Sequence, residues 1–306
     1  RCGLRFVPGL EPSMEIFGIS TALLGSQLLV GLINGSFYAI LSLGLAIIFG
    51  LLNIINFCHG AQYMMGAFVA WIALTRFGIN YWVALIAAPL IVGVVGVLIE
   101  RLMLRRLYKL DHLYGLLLTF GLALIFEGIF RDQFGISGES YEVPELLTGG
   151  VNLGFMFLPI YRGWVIIASL TVCFGTWYMI ERTKLGAYLR AGTENSAMVQ
   201  ALGINVPLLI TFTYGYGVAL AAFAGVLAAP IFQVNPLMGS NLIIVVFAVV
   251  VIGGMGSIMG SILTGLGLGL IEGLTRVFYP EASSVVVFVI MVIVLLLRPA
   301  GLFGKS

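Results

Sequence analysis

From about residue 23 to residue 297, long apolar runs alternate with short polar breaks, and the runs have the length of membrane spans. The pattern predicts about nine helical crossings, near residues 23–50, 60–74, 82–99, 113–130, 163–180, 208–229, 241–253, 258–274 and 284–297. The first exceeds the roughly 20 residues that a span needs, so it is tilted, kinked or partly re-entrant. The expected fold class is an all-α polytopic membrane protein, with one transmembrane domain over residues 14–306.

Two interruptions of the pattern carry polar residues and glycine without a proper hydrophilic loop. The first, GLLNIINFCHGAQYMMG, holds Asn53, Asn56, His59, Gly60 and Gln62. The second, VIGGMGSIMGSILTG, holds Gly253, Gly254, Gly256, Ser257, Gly260 and Ser261. Each follows a span running from outside to inside, which suggests two broken helices in a pseudo-repeat. Non-helical backbone at membrane depth persists only where protein or a water-filled cavity satisfies it. Asn53, Asn56, His59, Gln62, Gly253, Gly254, Gly256 and Ser257 are therefore candidates to line a path, the two breaks facing each other across it. For His59 the plainer reading is a turn-capping histidine.

A different interruption lies at 181–206, ERTKLGAYLRAGTENSAMVQALGINV. It starts basic, with Arg182, Lys184 and Arg190, and then reads as a short amphipathic helix. Thr193 is the expected N-cap, Glu194 sits in the first turn, and Ala197, Met198, Ala201 and Leu202 share one face. Gly203 is the stop. Such a helix either rests on lipid headgroups or offers a docking surface to a soluble partner.

Charge orients the chain. Arg101, Arg105, Arg106 and Lys109, the 181–206 segment, and Arg298 with Lys305 all fall on one face when crossings are counted. By the positive-inside rule that face is cytoplasmic. The N-terminus and the loop 132–161, with Asp132, Glu139, Glu142 and Glu145, then lie outside. Residues 1–13, RCGLRFVPGLEPS, fit poorly with the rest, and Met14 is the expected natural start.

Composition narrows the function classes. Apolar residues make up 60% and charged residues 9%, against about 25% charge in a soluble domain. The 40 glycines suit helix packing in a bilayer, and a net charge of +2 suggests no nucleic-acid role. The scattered Cys2, Cys58 and Cys173 form no metal or disulfide framework. Glu127 with Arg131, and Glu272 with Arg276, read as i,i+4 structural pairs rather than proton relays. No catalytic constellation is present. The terminal GLFGKS lacks the first glycine, strand and helix of a phosphate-binding loop, and GLGLG lies within a span. If ATP energises this chain, another subunit hydrolyses it.

Five segments together resemble one family. They are NGSFYAILSLGLAIIFGLLNIINFCHGAQYMMGAF, RTKLGAYLRAGTENSAMVQALGIN, AAFAGVLAAP at 221–230, VVIGGMGSIMGSILTG and LLLRPAGLFG. The chain resembles the inner-membrane permeases of bacterial branched-chain amino acid ABC importers, most closely the shorter, LivH-type permease, over roughly residues 29–304. Family members usually read NFAHGE where this chain has Asn56-Phe57-Cys58-His59-Gly60-Ala61, so alanine stands at the acidic position. The resemblance implies the ABC-importer permease fold in a bacterial inner membrane, with the C-terminus cytoplasmic. It also implies a LivM-type second permease, two cytoplasmic ATPases that use ATP and Mg, and a periplasmic solute-binding protein. No cofactor would be bound by this chain. The 181–206 segment matches the ATPase-contacting region, which assigns Arg190, Thr193, Glu194, Ala197, Met198, Ala201, Leu202 and Gly203 to coupling. A related importer for urea, short amides or other small solutes is the first alternative. A self-sufficient channel or ion-coupled carrier is the second.

Overall fold

The computed structural model describes residues 15–16, 19–52, 55–108, 110–154 and 156–304. Among them, a two-residue hairpin (β1 Glu15–Ile16, β2 Ile19–Ser20) precedes the first of eleven α-helices. These are α1 Thr21–Leu52, α2 Cys58–Phe77, α3 Tyr81–Leu102, α4 His112–Phe134, α5 Ile160–Arg182, α6 Lys184–Glu194, α7 Ser196–Ala201, α8 Val206–Ala228, α9 Met238–Gly253, α10 Ile258–Phe278 and α11 Val286–Leu297. A second hairpin (β3 Gly150–Asn152, β4 Phe157–Pro159) lies between α4 and α5, in register Gly150 to Pro159.

Each of the nine apolar runs is a helix. Six are long and apolar enough to cross a membrane: α1, α3, α4, α5, α8 and α10. α9 has 16 residues and α11 has 12, short of the roughly 20 of a full span. α1 has 32 residues, about 48 Å at 1.5 Å per residue. Local chemistry sets the boundaries. Asn80, Asp111, Asn205 and Ser257 each accept a backbone N–H from the first turn of α3, α4, α8 and α10. α2 stops at Gly78, whose N–H reaches the Leu74 carbonyl at 3.0 Å.

Glycine assembles the bundle. Gly31 and Gly35 on α1 meet Gly265, Gly269 and Gly273 on α10 at four-residue spacing, leaving no room for a Cβ between the backbones. The same close approach joins α1 to α8 at Gly44 and Gly217, α2 to α8 at Gly66 and Ala222, and α2 to α9 at Gly60 and Gly239. Tyr38 of α1 donates to Glu272 of α10 at 2.8 Å, and Arg276 pairs with the same carboxylate. Glu272 thus serves the α1–α10 seam. α1 is the most enclosed span, 83% buried over its apolar window, and α4 the least, at 11%.

Candidate translocation and coupling sites

The first break is a short irregular stretch between α1 and α2. Asn53 lies outside the described residues. Freed backbone at 55–57 is satisfied from α4: the Thr119 hydroxyl donates to the Ile55 carbonyl at 3.1 Å and is placed to accept the Phe57 N–H at 3.2 Å. Nothing in the sequence marked Thr119, a lone hydroxyl in an apolar run. Asn56 is buried and donates to the Gln62 side chain at 3.2 Å. His59 is fully buried with Nε2 at 3.0 Å from the Leu41 carbonyl. It ties the break to α1 rather than capping a turn. The Tyr214 hydroxyl of α8 lies beside Gln62 and Asn56 but completes no hydrogen bond. Asn56 Oδ1, Gln62 Nε2 and His59 Nδ1 also lack protein partners. This polar group is enclosed at the centre of an apolar bundle, where unpaired groups cost most.

The second break is a turn at the far end of α9. Gly256 meets Gly50, the first residue of the other break, and none of the turn's glycines has Asn56, His59 or Gln62 among its nearest neighbours. Gly253 packs on Gly260 of α10. Gly254, at φ +97°, would place a Cβ 2.5 Å from the Gly304 nitrogen. Ser257 accepts the Gly260 N–H at 3.1 Å as the N-cap of α10. The tail returns over this turn, Leu302 N–H donating to Ile252 at 2.8 Å. What faces the start of α2 is instead the start of α9, through Gly60 and Gly239.

The 181–206 segment is two helices where one was expected. α6 ends at Glu194, and α7 begins at Ser196. Thr193 does not cap: its hydroxyl donates back to the Arg190 carbonyl at 2.7 Å. Asn195 is the cap, accepting the Met198 N–H at 3.0 Å, because a short amide at the bend satisfies an orphan donor without helical backbone of its own. Glu194 closes α6 and is exposed rather than opening the next helix. Gly203, at φ +85°, ends the unit as expected. Ala197, Met198, Ala201 and Leu202 are all exposed, Met198 at 63% and Leu202 at 72%, while Val199 holds α7 to the body. Arg190 anchors α6, donating to the Ile180 carbonyl at 3.1 Å and pairing with Glu181 at 3.4 Å. A cavity of about 110 Å³ is lined by Leu189, Arg190 and Thr193 on one side and by Gly50 and Gly256 on another, so the 181–206 unit and the turn after α9 border the same space.

Glu100, which the sequence reading passed over, is fully buried at the end of α3. Tyr108 and Thr211 donate to its two oxygens, each at 2.7 Å. Burial, and next the Glu100 carboxylate, raise the Tyr108 phenol above its ordinary range, so it remains a donor. An ionisable residue ending an apolar run ahead of a basic loop was the available signal. On the opposite end of the molecule, Glu139 and Val234 exchange two backbone hydrogen bonds of 2.9 Å, stitching the acidic loop to the segment between α8 and α9.

A glycine-sealed bundle with six helices long and apolar enough to cross a membrane has the make-up of a polytopic membrane protein. The chain belongs to the branched-chain amino acid transport system permease component family, whose model matches residues 27–295. It is similar to the permease protein BraD of Pseudomonas aeruginosa, named for high-affinity branched-chain amino acid transport. The two are 35% identical over 91% of this chain and 95% of that protein. It is 30% identical to LivH of Escherichia coli over the same shares, and 26% identical to LivM of Escherichia coli over 88% of this chain and 68% of that protein. No solved structure matches it significantly.

Proposed function

We propose that this chain is a permease subunit of an ATP-driven importer that carries branched-chain amino acids from periplasm to cytoplasm. The observation that carries this reading is similarity to BraD and LivH along nearly the whole of both chains. In the assembly a LivM-type permease stands beside it, two cytoplasmic ATPases supply the energy using ATP and Mg, and a periplasmic binding protein delivers the solute. The chain crosses the inner membrane about nine times, N-terminus outside and C-terminus in the cytoplasm. It hydrolyses nothing itself.

The exposed face of α7 is the ATPase contact, because Ala197, Met198, Ala201 and Leu202 form an apolar patch with no partner among the described residues and fit the helix-in-groove mode. α6 relays movement of that patch to Gly50 and Gly256, which share its cavity. Replacing Ala197 and Ala201 together by Asp puts charge into the contact while leaving the bundle untouched, since both positions are exposed. The expected outcome is loss of ATPase co-purification with normal membrane insertion. Undiminished co-purification would remove α7 as the docking element.

A further inference from the structure

Between the starts of α2 and α9 and the middle of α4 lies a cleft of about 70 Å³. Its walls are Phe57, Met64, Phe120, Leu124 and Ile243, and Gly60 and Gly239 let the two helix starts meet at its floor. One ionisable side chain lines it: Glu127. That carboxylate accepts from the Ser240 hydroxyl at 2.7 Å and from Arg131 at 2.9 Å. The Arg131 side chain is 51% exposed and that of Glu127 17%; Arg131 lies one turn further along α4, beyond the residues that line the cleft, with donors other than the one given to Glu127.

We infer that this cleft is a recognition site for a zwitterionic amino acid with an aliphatic side chain. The inference rests on the importer reading above and assigns its substrate to residues. A free α-amino acid carries an ammonium and a carboxylate two bonds apart. Glu127 offers lone pairs to the ammonium, and Arg131, one turn along the same helix, offers a planar pair of donors to the carboxylate. The pair that the sequence read as structural is thus a counter-zwitterion, satisfied by its own partner when empty and by the solute when filled. Ser240 orients the carboxylate from α9. Beyond Glu127 and Ser240 the wall is aromatic and aliphatic. The cleft holds on the order of five water-sized groups at about 10–15 Å³ each, the scale of a three- or four-carbon side chain. The wall gives no partner to a polar side chain, which would lose its hydration without return.

The test measures equilibrium binding of leucine, 3-methylbutylamine and 4-methylpentanoate to the detergent-solubilised full complex without binding protein. It is repeated on Glu127→Gln and Arg131→Gln complexes. Wild type is expected to retain leucine at millimolar concentration. Glu127→Gln should weaken leucine and the amine at least tenfold and leave the acid within twofold. Arg131→Gln should weaken leucine and the acid and leave the amine within twofold. A merely structural pair would weaken all three ligands together or none, and either result overturns the site, as does a wild-type complex that retains no leucine. Uptake by proteoliposomes separates the two readings. Wild-type uptake of leucine alongside unchanged uptake by Glu127→Gln rejects the cleft alone, whereas no ATP-dependent leucine uptake by the wild-type complex rejects the importer reading.

Discussion

At the scale of single residues, the costly positions are buried polar groups whose partners come from distant helices. Among the described residues, Glu100 makes no salt bridge. It depends on Tyr108 beside it and on Thr211 more than a hundred residues away. Replacing Thr211 by Val keeps the shape but leaves one carboxylate oxygen buried without a donor, a cost of about 1–3 kcal/mol. A lower apparent melting temperature of the purified complex is expected for Thr211→Val, and a near-native one for Thr211→Ser. Equal melting of all three proteins would show that solvent reaches Glu100. Such residues were illegible in the sequence for a definite reason. Thr119 sits alone in an apolar run, Glu100 ends one and Thr211 lies near the start of another, and their meaning comes from helices that the linear pattern does not pair.

At the scale of elements, the apolar pattern located nearly every helix, because span length and capping residues are local signals. Asn80, Asp111 and Ser257 stand where the runs begin. Where local signals compete, the pattern misled. Thr193 with Glu194 and Asn195 are both plausible caps, and tertiary contact decides: Leu189 and Val199 are buried on either side of the bend, so the chain turns between them, at Asn195. Asn195→Ala should therefore loosen α7 by about 0.5–2 kcal/mol, read as faster amide hydrogen exchange over residues 196–201. Thr193→Ala, which removes only a hydroxyl bonded back into its own helix, should leave that exchange unchanged. The reverse ranking would restore the single helix expected from the sequence. The pairing of α2 with α9 was likewise hidden. The glycine signal drew attention to Gly253–Gly256, while the opposing contact is made by Gly239 in MGSN, an unremarkable loop-to-helix junction.

At the scale of the molecule, two ends differ in character. One carries α6, α7, the turn at Gly254 and the returning tail; the other carries the acidic loop bound to the α8–α9 segment by Glu139 and Val234. Charge asymmetry read from the sequence assigns the first end to the cytoplasm, and a labelling experiment checks it. Gly138 is a poor reporter because its φ is +76° and a Cβ there would crowd Gln233. Leu146, 79% exposed, is suitable. With Cys2 replaced by Ser, and with Cys58 and Cys173 buried, Leu146→Cys should react with a membrane-impermeant maleimide on intact spheroplasts. Ala197→Cys should react only after lysis. The opposite order would invert the topology.

The meeting of Gly60 and Gly239 has a consequence for time. Most constrictions in proteins are plugged by a side chain, and a side chain swings aside in picoseconds to nanoseconds. Here two backbones touch, and nothing at the contact can rotate away. The floor of the cleft can part only if a whole helix is displaced, and displacements of that kind belong to microseconds and milliseconds. α9 runs from that floor to the turn beside the tail, about 24 Å for its 16 residues. On the proposed reading, a solute resting on the two glycines waits on displacement of α9 as a whole, and thermal flicker of side chains cannot let it through early.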